Sequence, residues 1–101
     1  MKILAIEHEL PGANSEAFQR YAQEEARKAW DLHQAGWIRE LYFRADQSSA
    51  VLVLECDSVE EAASILTELP FVREGLIMFE LIPLRAYPGF ARLFKDLPAA
   101  G

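Results

Sequence analysis

Residues 37–56, WIRELYFRADQSSAVLVLEC, decide the fold: they read as a strand, a polar loop and a second strand. The first limb, Trp37–Asp46, is rich in aromatic and branched residues, and Asp46-Gln47-Ser48-Ser49 then supplies side chains that favour turns. The second limb, Val51–Cys56, sends Val51 and Val53 to one side and Leu52 and Leu54 to the other. Both faces of this strand therefore want to leave water, and the short polar connection makes the pair an antiparallel hairpin.

Working outward, Lys2–Glu9 and Leu76–Leu84 read as two further strands, the latter with Ile77, Phe79 and Leu81 opposed to Met78 and Ile82. A long helix is predicted over Ser15–Ala35, with Asn14 or Ser15 at its start and Gly36 suited to a left-handed stop. Ser58 followed three residues later by Glu61 has capping-box spacing, and Val59, Ala62, Ala63, Leu66 and Leu69 mark the inward stripe of a second helix. Pro70 stops that helix, and Phe71–Gly75 reads as a short irregular connection.

The order strand–helix–strand–strand–helix–strand predicts an α+β, ferredoxin-like βαββαβ sandwich with an antiparallel four-stranded sheet. Two helices cover one face of such a sheet. The simplest cover for the other is a second copy, which gives a dimeric α+β barrel and at least a homodimer. Residues 1–86 form this domain, and 87–101 form a C-terminal tail. After the break at Tyr87-Pro88-Gly89, Phe90, Leu93, Phe94 and Leu97 recur on one side of a short helix, suited to docking on a neighbouring subunit.

At 101 residues the chain fits one domain. No run approaches the roughly 18–20 apolar residues of a membrane span, and the first strand meets Glu7, His8 and Glu9 too early for a signal peptide, so a cytoplasmic location is expected. The single cysteine, Cys56, has no disulfide or metal-binding companion. A net charge of −6 with scattered Lys and Arg argues against nucleic acid as a partner. Glycine-rich phosphate loops and nucleophile elbows are missing too, which points away from cofactor and metal chemistry and towards a small-molecule partner.

On a helical wheel Phe18, Ala22, Ala29 and Leu32 form the inward stripe of the first helix, with Glu25 near its centre and Glu24 facing away. An acid among apolar neighbours loses hydration, so its pKa rises towards the range useful in proton transfer unless a cation holds it ionised. Glu25 is thus either an acid–base group or one half of a structural pair with an arginine. Strict alternation puts Arg39 on one face with Trp37, Leu41 and Phe43, and Tyr42 on the other with Ile38 and Glu40. Arg39 suits a forked contact with a carboxylate, or an ion pair with Glu55 or Glu80. Tyr42 is a hydrogen-bond donor to substrate or a packed strand residue. His8, near the end of the first strand, is a candidate pocket residue. His33, near the end of the long helix, is an acid–base candidate or a complement to the helix dipole.

Three stretches carry a resemblance: Gly36-Trp37-Ile38-Arg39-Glu40-Leu41-Tyr42, Ser58-Val59-Glu60-Glu61-Ala62 and Leu66-Thr67-Glu68-Leu69-Pro70. From the first helix to about Leu84 the chain resembles the muconolactone isomerase-like family of dimeric α+β barrels. The resemblance implies cofactor-free isomerisation of a small anionic lactone in aromatic catabolism, by movement of a proton and a double bond. It implies Glu25 as proton shuttle, Arg39 as carboxylate anchor and Tyr42 as auxiliary donor, with His33 a competing acid–base group. Two other readings fit the same fold, a small cofactor-independent monooxygenase and a non-catalytic ligand-binding or assembly module.

Overall fold

The computed structural model describes residues 1–94, so Leu97 lies outside the described residues. Strands β1 (Lys2–Glu9), β2 (Ile38–Phe43), β3 (Ala50–Glu55) and β4 (Ile77–Leu84) form one antiparallel sheet in the order β2-β3-β1-β4. Helices α1 (Ser15–Gln34) and α2 (Val59–Leu66) cross between them, and residues Pro88–Phe94 form a 3-10 helix. The predicted βαββαβ order is therefore the order found.

Local chemistry sets the element ends. The Asn14 side chain accepts from the Ala17 amide at 2.9 Å, capping α1, and Gly36 follows its last turn at φ +88°, a conformation that strains other residues. Ser58 Oγ accepts from the Glu61 amide at 3.0 Å, as a capping box requires. The reciprocal bond has moved by one residue, because Glu61 Oε1 accepts from Asp57 N at 2.9 Å. One element corrects the expectation: Pro70–Arg73 is a short helix, α3, where an irregular connection was predicted. Proline ends α2 but also suits the first turn of a new helix, where its missing amide proton costs nothing.

Ile3, Ala5, Ile38, Leu52 and Leu54 line one sheet face and are buried against Ala62, Ile65, Leu66 and Leu69. Each large aliphatic side chain withdrawn there contributes on the order of 1.5–3 kcal/mol. The long helix joins this core at one point, for Leu32 alone of its 20 residues is buried. Its N-terminal half leans on α3 through an edge-to-face contact of Phe18 with Phe71, ring centroids 5.0 Å apart. Between these two anchors the helix presents Ala22, Ala26 and Ala29 to the sheet, too short to fill the space.

Leu4, Ile6, Val51, Val53 and Ile82 lie on the opposite sheet face, half-buried beside the exposed Tyr42 and Met78. Ion pairs edge it, His8 with Glu80 at 3.0 Å and the Met1 ammonium with Glu55 at 2.6 Å. Glu55 and Glu80 thus have ionic partners, though neither is Arg39. In the tail, Phe90, Leu93 and Phe94 are exposed and do not pack on their own domain.

Candidate active site

The space under α1 is a chamber of about 320 Å³, walled by the helix on one side and the sheet on the other. Leu41, Phe43, Leu52, Phe71 and Phe79 supply most of its apolar lining, and Glu25 and Glu7 are its two polar side chains among the described residues. A second compartment, about 570 Å³ and more polar, adjoins it; Glu7, Phe43 and Phe71 line both and stand at the junction. At the other end a groove shares Ala26, Ala29 and Leu41 with the chamber and adds Trp30 and His33.

Glu25 is delivered by the central turn of α1, and its Oε1 accepts from the Phe71 amide at 2.9 Å. That amide belongs to the first turn of α3, so the helix that replaces the expected loop supplies the carboxylate's hydrogen bond. Burial drives the Glu25 pKa above the usual carboxylate value, with the charge of Glu7 adding to the rise; the Phe71 amide and the Arg73 guanidinium oppose it. Arg73 itself is bound by Glu24 at 2.9 Å and Glu74 at 3.0 Å. Glu25 thus has no side-chain ion pair, and the structural alternative, pairing with an arginine, belongs to its neighbour Glu24.

Glu7 was not singled out in the sequence. It follows Ile3 and Ala5 in strict alternation, so the helix-facing side of β1 ends in an acid; that two-residue step was the available signal. Its Oε1 accepts from the Ala50 amide at 3.3 Å, and Ser49 Oγ donates to its backbone carbonyl at 3.0 Å. Burial raises the Glu7 pKa above the usual value, more than the Ala50 amide lowers it.

The remaining sequence candidates are distributed around this chamber rather than inside it. His33 lies in the end groove, and its Nδ1 must donate to the Ile38 carbonyl at 2.8 Å, since that oxygen can only accept. Nε2 is then the acceptor of the neutral ring. His8 borders the outer compartment while its ring binds Glu80. The strict alternation expected of β2 is overturned by a bulge between Ile38 and Glu40, where Arg39 is the additional residue. Ile38, Leu41 and Phe43 consequently share the helix-facing side, while Glu40 and Tyr42 share the other. Arg39 Nε donates to the Gly36 carbonyl at 2.6 Å and Tyr42 OH donates to Glu40 at 2.7 Å; neither residue lines the chamber with Glu25.

A small apolar chamber with a desolvated carboxyl group can take a proton from carbon and return it elsewhere. Comparison with known proteins places this chemistry in a family context. The sequence profile of muconolactone delta-isomerase matches residues 4–89. Among solved structures, a muconolactone isomerase superposes with a TM-score of 0.71 at 22% identity, over 87% of this chain and 92% of that one. A 5-chloro-2-hydroxyhydroquinone dehydrochlorinase from Burkholderia phenoliruptrix AC1100, in complex with 2,5-dihydroxybenzoquinone, gives 0.60 at 18% identity, over 88% and 98%. The two likenesses confirm the α+β fold. Curated protein sequences gave no match.

Proposed function

The chain belongs to the muconolactone delta-isomerase family, and from that premise we propose that it is a cofactor-independent isomerase that moves a proton and a double bond within a small anionic lactone. The observation that carries the reading is Glu25: a raised, unpaired carboxyl in the wall of a chamber large enough for one small ring.

As a carboxylate, Glu25 removes a proton from a carbon activated by the lactone carbonyl. The electrons of the broken C–H bond delocalise into an enolate, and Glu25 returns the proton to a second carbon of the same conjugated system. The carboxyl ends as it began, so no cofactor enters the balance. Apolar walls exclude water and strengthen the electrostatics of the step.

A substrate carboxylate is repelled by two acids, so in this reading it points out of the chamber towards the end groove, where His33 Nε2 is the donor on protonation. Arg39 and Tyr42, the anchor and auxiliary donor expected from the resemblance, serve only a site to which the opposite sheet face contributes. We further infer that this face pairs with a second copy and that the exposed tail residues dock on a neighbouring subunit. The test is turnover of muconolactone followed by NMR in deuterated buffer without oxygen. Isomerisation supports the reading; conversion that requires oxygen would transfer it to a monooxygenase, and binding without conversion would leave a ligand-binding module.

A further inference from the structure

Removing a proton next to a carbonyl leaves negative charge on the carbonyl oxygen, and catalysis of that step needs a donor or a positive charge beside it. The chamber has no lysine, arginine, histidine, tyrosine or serine side chain among its described lining residues. Its polar side chains are Glu25 and Glu7, one on the helix wall and one on the sheet wall. With Glu25 as the base, the donor left in the lining is Glu7 in its neutral acid form.

We propose that Glu7 is the electrophilic partner of Glu25: a carboxylic acid kept protonated in the chamber, donating a hydrogen bond to the oxygen that becomes negative as Glu25 removes the proton. This assignment deepens the proton-transfer reading above and rests on it. Glu7 keeps its own proton throughout and the hydrogen bond strengthens as charge develops, so both carboxyls end each turnover in their starting states.

Geometry decides which of the two stays protonated. Glu25 receives the shorter amide hydrogen bond, 2.9 Å from Phe71 against 3.3 Å from Ala50 to Glu7. The charged groups acting on Glu25 are Glu7 from β1, Glu24 on its own helix and Arg73 from α3, and the last of these favours its ionised form. Glu7 feels the anionic Glu9 on its own strand. Around it β2 and β4 contribute Phe43 and Phe79, and β3 contributes the Ala50 amide. His8, the adjacent residue, is bound to Glu80. Two carboxyls coupled across an apolar gap lose their protons in separate steps, and these surroundings give the first loss to Glu25 and the second to Glu7.

The experiment uses the full chain with 13C-labelled glutamate side chains, titrated by NMR as wild type, Glu7→Gln and Glu25→Gln, alongside muconolactone turnover by wild type, Glu7→Gln and Glu7→Ala. Expected are a Glu7 carboxyl that titrates above that of Glu25 and moves down in Glu25→Gln. Glu7→Ala should lose about 10²–10³-fold in kcat. Glu7→Gln keeps an N–H donor and the acceptor for Ala50, so it should retain more activity than Glu7→Ala while losing the alkaline limb of the kcat profile. A Glu7 that titrates below Glu25, or a Glu7→Ala enzyme with unaltered kcat, overturns the assignment. Should wild type fail to convert muconolactone while Glu7 still holds the higher proton, the substrate reading falls and the protonated chamber donor stands.

Discussion

Replacing Glu25 by glutamine separates the chemistry of this side chain from its place in the fold. The amide keeps an Oε1 acceptor for the Phe71 amide, 2.9 Å away in the wild type, so no buried donor is orphaned. Glu25→Leu would orphan it, at a cost of about 1–3 kcal/mol. What glutamine cannot do is accept a proton from carbon. Loss of a positioned general base lowers the rate by about 10²–10⁴-fold, equivalent to about 2.7–5.4 kcal/mol of transition-state stabilisation.

Stability should move the other way. Because burial raises the Glu25 pKa in the folded chain, the native state holds more protons than the unfolded chain between the ordinary carboxyl value and the raised one. The free energy of unfolding contributed by Glu25 therefore falls as pH rises through that window and is flat above it. Glu25→Gln removes this dependence, so the variant should be more stable than wild type above the window and closest to it below. Urea unfolding at several pH values measures the second effect, and deuterium uptake during muconolactone isomerisation measures the first. Undiminished turnover and exchange in Glu25→Gln would remove this residue from proton transfer. A variant less stable than wild type at neutral pH would refute the claim that desolvation dominates the site.

Ala29→Leu pushes a branched side chain into the 320 Å³ chamber; it should weaken substrate binding, seen as a higher KM, with thermal stability kept or raised. Asn14→Ala removes the cap on the Ala17 amide and should cost about 1 kcal/mol, a drop in Tm of about 4–8 °C by calorimetry. Ending the chain at Ala86 removes the exposed Phe90, Leu93 and Phe94; light scattering should show a smaller assembly, and an unchanged mass would assign the tail no part in it.

The sheet was legible because its strands are long, apolar and separated by turn residues, and the four predicted segments are the four strands found. Glu25 was legible for a related reason, since helical periodicity places it among Phe18, Ala22 and Ala29 whatever the distance to the sheet. That distance itself was not written in the pattern. Small side chains at 22, 26 and 29 fit a tightly docked helix as well as a stand-off one, and anchors at Phe18 and Leu32 decide between them. Glu7 was overlooked because a charge near a strand end reads as solvated, and only the third dimension brings α1 over it. The α3 turn was hidden by proline, which is at once a stop for one helix and a start for the next.

The additional residue at Arg39 has a consequence for anyone comparing this chain with its relatives. A β-strand is a two-phase signal, and one inserted residue inverts the phase of everything after it. At 22% identity, the pairing of β2 with a relative's strand rests on where a single gap is placed. Placed at position 39, the gap maps the chamber-facing Leu41 and Phe43 onto chamber-facing residues. Placed beyond Phe43 or omitted, it maps Tyr42 there instead, and a role inferred by column would pass to a side chain on the wrong side of the sheet.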